Sequence, residues 1–219
     1  MMYNQALYIT NSLFGAERWR SMLRVLSHPS DGFYEIRYRE KGSPALALLM
    51  TLLFCVCYTT NRLLASFVVN NVYTRSIDGL AESGAIVGLV LLFSIGNWSV
   101  TCLLNGEGRF RDIITVVGYA LIPAIIALAL GTVVSRFLAS GEEGFYTVII
   151  AVGLVWTGVL VLVGIMTVHN YTLIKTLGTL ILTILAMFII VFFILLLADM
   201  VRQVYVFGYG IYTELIFRG

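Results

Sequence analysis

The stretch NWSVTCLLNGEGRFRDIITVVGYALIP, residues 97 to 123, decides how the chain must fold. It closes one apolar run at Leu104, turns through residues 105–112, and opens a second run carrying Gly118, Tyr119 and Pro123. Apolar runs of about 20 residues can cross a bilayer, where a helix satisfies its own backbone. Two such runs joined by so short a turn predict an antiparallel helical hairpin through a membrane.

Composition points the same way. Hydrophobic residues make up 59% of the chain and charged residues only 12%, far from the balance of a soluble globular domain. The net charge of +2, with Lys and Arg not gathered on one face, argues against nucleic acid as a partner. Cys55, Cys57 and Cys102 lie inside apolar runs, with neither metal spacing nor a disulfide framework. They read as small buried hydrophobes.

Working back from the central stretch, span two covers about 84–104. Gly84 and Gly88 form a small-xxx-small pair suited to close helix approach. Span one covers about 44–66 and opens on Ser43-Pro44, a cap followed by proline at the first helical position. Arg62, near its far end, either snorkels to the headgroups or pairs with Glu82 or Asp199. Residues 1–43 form an N-terminal segment at the membrane surface. Within it, LFGAERWRSMLRVL (residues 13–26) repeats Phe14, Met22, Leu23 and Leu26 at helical spacing, with Trp19 among them and Arg18, Arg20 and Arg24 on the basic side. This helix lies either in the headgroup layer of an anionic leaflet or against the membrane domain's own end. His28-Pro29 breaks it, and residues 31–43 are expected to run on as an extended or single-turn connector.

Onward from the central stretch, span three covers about 113–134. Ala120, Ala124, Ala127 and Gly131 form a packing stripe, and Pro123 is expected to kink the helix. Span four covers about 145–168 and span five about 177–197. The tail beyond holds Tyr205, Phe207, Tyr209, Tyr212 and Phe217, an interfacial belt or a final amphipathic helix. The predicted fold is an all-α integral membrane protein: five transmembrane helices in one domain (44–219), after a cytoplasmic amphipathic segment. Five spans put the termini on opposite sides. With the N-terminus inside, nine Lys and Arg fall inside and five outside, so the positive-inside rule predicts a cytoplasmic N-terminus and an outer C-terminus.

Catalytic chemistry is hard to find. His28 and His169 stand in separate turns, and neither has a second ligand at helical spacing. No HExxH, paired glutamates or Ser/Lys dyad lies on a span. The GEG turn beside Arg109 and Arg111 lacks the Walker pattern and reads as a solvated, headgroup-binding turn. Spans two to five have almost no ionisable residue at mid-depth, and no internal duplication is present, which argues against a translocation pathway. The expectation is no catalytic residue, no metal and no cofactor.

The order of these features resembles the Yip domain family of multi-pass membrane proteins. The likeness is carried by HPSDGFYEI (28–36), the Asn97-Trp98 pair late in span two, NGEGRFRDI (105–113) and GYALIP (118–123). It is closest to the family's bacterial branch. The resemblance implies a non-enzymatic protein that binds other membrane or prenylated proteins and organises trafficking or membrane shape. A scaffold or adaptor in a bacterial cytoplasmic membrane is therefore expected, with membrane lipids (anionic ones included), other membrane proteins or further copies of itself as partners. Asn97, Trp98, Arg109, Arg111 and Trp19 are the expected contact residues. Gly84, Gly88, Gly118, Tyr119 and Pro123 are expected to shape and pack the spans. The rival reading is an accessory subunit of a membrane transporter, such as an ABC-type permease, and the third is an intramembrane enzyme or lipid carrier.

Overall fold

A computed structural model describes residues 16–39, 41–69 and 77–217. The described residues form helices α1 (Ala16–Ser27), α2 (Pro29–Tyr38), α3 (Pro44–Leu64), α4 (Gly79–Leu103), α5 (Phe110–Ala120), α6 (Ile122–Ser135), α7 (Glu143–His169) and α8 (Leu173–Phe217). Five stretches are long and apolar enough to cross a membrane: α3, α4, α5 with α6, α7 and α8. The chain is an all-helical integral membrane protein. The expected helix start at Leu13 and Phe14, and the arginines at 75 and 218, lie outside the described residues.

Local chemistry sets the helix ends. The Ser43 hydroxyl accepts from the Leu46 amide at 3.4 Å ahead of Pro44, and Asp78 Oδ1 accepts from the amides of Leu80 and Ala81, the usual N-cap arrangement. At the other ends, α4 and α7 close alike. Asn105 and Asn170 both take φ of 54°, the left-handed conformation that asparagine tolerates better than most residues. In each, an amide reaches five residues back: Gly106 to the Thr101 carbonyl at 2.8 Å, Tyr171 to that of Met166 at 3.0 Å. Span three breaks at Leu121, and α6 restarts with Pro123 in its first turn, as expected of a residue with no amide hydrogen to donate.

Span three is the centre of the bundle. Within its most apolar window 72% of the residues are buried inside the chain, against 33% or less for the other four. Its small residues make this possible, because they let backbones approach closely. A Cβ on Gly118 would lie 2.5 Å from the Ala47 carbonyl oxygen of α3, and one on Gly153 of α7 would lie 2.2 Å from Ala127 Cβ. The expected stripe of Ala120, Ala124, Ala127 and Gly131 thus faces inward. Near the end of the bundle where α3 finishes, the distal end, Asn61 joins three helices. Its amide nitrogen donates to Thr132 Oγ1 at 2.8 Å and its carbonyl oxygen accepts from the Tyr146 hydroxyl at 2.8 Å. Arg62 is paired with Glu82, Nη1 to Oε1 at 2.5 Å.

Span five is held differently. A row of buried threonines, Thr176, Thr179 and Thr183, runs along α8 and meets Ser94, Gly96, Asn97 and Thr101, which are buried on α4. The Asn97 amide donates to Thr183 Oγ1 at 3.1 Å. Gly84 and Gly88 point elsewhere: nothing lies within 4 Å of a Cβ built on either.

Two expectations need correction. Residues 31–43 are not an extended connector, because α2 occupies Pro29–Tyr38 and docks on the bundle. Phe33 and Ile36 are both buried. With Gly32 and Phe33 inward and Asp31 and Tyr34 outward, the segment has helical rather than strand periodicity. Nor does the last helix end near 197. It continues through the aromatic tail as one 45-residue helix, about 68 Å long at about 1.5 Å per residue. Hydrocarbon is only about 30 Å thick, so more than half of its length lies beyond one hydrocarbon thickness. Asp199 there accepts a hydrogen bond from Gln203 at 2.8 Å, and Tyr205, Phe207, Tyr209 and Tyr212 are exposed.

Candidate functional site

At the proximal end, where α3 begins, the polar side chains collect into two clusters. The first is built around the glycine turn between α4 and α5. His169, at the end of α7, is 1% exposed, and its Nδ1 accepts from the Gly108 amide at 3.1 Å. Accepting at Nδ1 leaves the proton of a neutral imidazole on Nε2. His169 stacks on Tyr171 with ring centroids 5.4 Å apart. The Tyr171 hydroxyl and Lys175 Nζ both donate to the Leu104 carbonyl at 3.1 Å, capping the negative end of α4. A Cβ on Gly106 would fall 2.6 Å from His169 Nδ1, and one on Gly108 2.5 Å from His169 Cε1. Both glycines are required by this close approach.

The turn is therefore packed rather than loose. The amides of Gly106, Gly108 and Arg109 are all engaged within the chain, the last with Asp112 Oδ2 at 3.2 Å. A phosphate cradle made from those three amides is excluded. Arg37 of α2 reaches across, donating from Nη1 to Asp112 Oδ2 at 3.0 Å and from Nη2 to the Glu107 carbonyl. Beside it Tyr119, 0% exposed, accepts from the Ser43 amide at 3.1 Å. The tyrosine of span three thus pins the start of span one.

The second cluster lies on the α1–α2 hairpin. Gly32 lets the two helices touch, since a Cβ there would meet the Val25 backbone at 2.9 Å. Phe33 inserts beside Gly164 and Val116. On the other side, Glu35 has a side chain only 8% exposed and takes Arg24 Nη1 at 2.6 Å, Arg39 Nη1 at 3.3 Å and Lys41 Nζ at 3.3 Å. The Ser21 hydroxyl adds a fourth donor at 3.3 Å. Burial disfavours the ionised carboxyl, but the Lys41 hydrogen bond, the charges of Arg24 and Lys41, and Ser21 outweigh it. The Glu35 carboxyl therefore sits below its ordinary value.

The expected contact residues divide sharply. Arg109 and Arg111 are exposed on the rim, and Arg111 Nη2 donates to the Gly42 carbonyl at 3.4 Å. Trp98 is 43% exposed, with its ring edge-on to Phe110 at 6.0 Å. Trp19 is 37% exposed on α1. Asn97, next to Trp98 in sequence, is 0% exposed, and its amide nitrogen is engaged with Thr183 of α8. Of the adjacent pair, then, only the tryptophan is available to a partner.

A sequence model of the Yip1 domain matches residues 23–199. The chain belongs to the Yip1 domain family. The Yip1 match takes in the glycine-turn cluster, Glu35 with its three cations, and residues of all five spans, and it stops where the last helix passes Asp199. Yip1-family proteins are non-enzymatic membrane proteins that interact with other membrane proteins and lipids. No curated protein and no solved structure matches this chain. Among the described residues, no three His, Cys, Asp or Glu side chains gather as metal ligands.

Sequence reasoning passed over His169, Glu35 and Arg37. His169 looked like a lone turn residue because its partner is a backbone amide 61 positions away. Glu35 carried a usable signal: a carboxylate between Phe33 and Ile36, both at core-facing helical spacing, is a charge drawn inward, and such charges are almost never buried unless paired.

Proposed function

We propose that this Yip1-family protein is a multi-pass scaffold or adaptor of a bacterial cytoplasmic membrane, working through protein and lipid contacts at its proximal rim. Its N-terminus lies in the cytoplasm and its C-terminus outside. The observation that carries the reading is the division of labour among polar groups. Buried ones, from Asn97 to Tyr119 and His169, are engaged in holding helices together, whereas Arg109, Arg111 and Trp98 stand outward. Cations flanking an aromatic ring at a headgroup-level rim suit an anionic leaflet or the acidic face of a partner. Replacing Arg109 and Arg111 together by Ala is expected to reduce retained partner or anionic lipid severalfold in nanodisc pull-downs, with insertion and melting unchanged. Undiminished recovery would remove the rim from consideration.

A second reading, an accessory subunit clasping a transporter, draws support from Gly84 and Gly88. Together with exposed Ala81 and Ala85 they offer α4 a smooth face that none of the described helices covers, the kind of surface on which a foreign span packs closely. Gly84→Leu or Gly88→Leu should then release a copurifying permease while the isolated protein stays folded. Survival of the complex in both variants would rule this interface out.

A further inference from the structure

We propose that the outer side of the α1–α2 hairpin binds the phosphodiester head group of a membrane phospholipid, with an acyl chain in the groove between α6 and α7. The site does not include Arg109 or Arg111, so it stands apart from the rim reading. A cavity of about 380 Å³ is lined by Arg24, His28, Asp31, Tyr34, Glu35 and Arg39. Glu35 is the buried anion of that cavity, and Arg24, Arg39 and, from outside the lining, Lys41 converge on it; with Asp31 counted, the cluster keeps one net positive charge. Arg24 and Arg39 each spend one N–H on Glu35, and a guanidinium carries five. Their remaining donors are set for an oxyanion, which arginine takes in a two-pronged grip. His28 engages Ser27 through Nδ1 at 3.1 Å, which leaves Nε2 for the cavity.

Asp31 narrows the ligand class. An exposed carboxylate on the rim repels a bare phosphate but accepts from a hydroxyl or ammonium beyond it. The chemistry that satisfies both ends is a phosphodiester whose head group carries a donor, such as phosphoglycerol or phosphoethanolamine.

The apolar half makes the ligand a lipid. Leu26, two residues from Arg24 on α1, helps line a second groove of about 380 Å³ with Pro123, Ile126, Leu130, Val152 and Trp156. The Pro123 break and the Gly153–Ala127 contact shape this groove within the spans. Head-group donors and a hydrocarbon slot thus lie on either side of the last turn of α1, which a soluble phosphate would not need.

The test is native mass spectrometry of the full-length protein in mild detergent. It is titrated with phosphatidylglycerol, phosphatidylethanolamine, phosphatidylcholine and phosphatidic acid, and separately with glycerophosphoglycerol and inorganic phosphate. One phosphatidylglycerol or phosphatidylethanolamine per chain is expected to persist, with phosphatidylcholine and phosphatidic acid held about tenfold less, a gap of about 1.4 kcal/mol. Arg24→Gln with Arg39→Gln should abolish the difference. Arg20→Gln, exposed on the same helix, should leave it intact. Asp31→Asn touches none of the Glu35 partners, so it reads out even where the arginine variants misfold. It should bring phosphatidylcholine level with phosphatidylglycerol. Equal retention of all four lipids by the native protein, or an Asp31→Asn protein with unaltered preference, overturns the proposal. Glycerophosphoglycerol or inorganic phosphate binding as tightly as the lipid overturns it too, assigning the cavity to a soluble phosphate.

Discussion

Gly118→Ala is expected to strip most of the folded protein from detergent extracts, and Gly118→Val all of it. A methyl group at this position would meet Ala47 at its carbonyl oxygen, Cα and Cβ, at 2.5 to 2.6 Å. Two of these are backbone atoms of the facing helix and the third is the Cβ fixed to it, so no rotamer change moves them away. Over-packing a well-filled contact costs about 1–3 kcal/mol even when side chains can adjust, so a rigid contact at the bundle's centre should cost more. Ala47→Gly in the Gly118→Ala background removes only the Cβ and leaves the carbonyl, so rescue should be incomplete. Gly84→Ala, facing open space, is the matched control and should melt like the native protein. Fluorescence-detected size exclusion after a temperature ramp reads all four. A Gly118→Val protein of native stability would mean that spans one and three cross elsewhere.

The second large effect is expected at Glu35. Its folded-state value is lowered, so its contribution is fully present above the ordinary carboxylate range and is lost as pH falls through the lowered value. Native protein should therefore lose stability in acid, and Glu35→Gln should melt lower at neutral pH while losing that part of the acid response. Arg24, Arg39 and Lys41 are 51%, 61% and 33% exposed. Solvent screens pairs of this kind, and the loss should be on the order of 1–2 kcal/mol. Glu35→Asp, which keeps the charge but shortens the reach, should fall between. A Glu35→Gln protein whose melting tracks the native curve at every pH would show that the hairpin docks through Phe33 and Ile36 alone.

The five apolar runs were legible because hydrocarbon imposes a length and an apolarity that few other constraints imitate. The Pro123 break was legible for a similar reason: proline alters the backbone whatever surrounds it. What escaped depends on pairings distant in sequence. Whether Arg62 would pair with Glu82 was a choice among three outcomes that composition could not make. The Asn97-Trp98 dipeptide read as one rim feature, yet helical geometry turns adjacent residues about 100° apart, and the bundle takes one and leaves the other. The α2 helix was hidden by its aromatic and charged residues, which resemble strand alternation until Phe33 and Ile36 are counted at a spacing of three. The length of α8 could not be read at all, because Asp199 and Arg202 look like an end when a helix simply passes through them.

The polar seam between α4 and α8 also bears on how the chain is made. Spans enter the bilayer in the order of synthesis, so Asn97 arrives 86 residues ahead of Thr183, the group that receives its amide. Until the last helix is inserted, the second span carries an unanswered carboxamide into hydrocarbon, where such a group is costly. A nascent chain stalled before Thr183 is then an incomplete membrane protein with a sticky span. The closing helix acts as the latch: Thr183 takes the Asn97 amide hydrogen, and the seam buries the side chain.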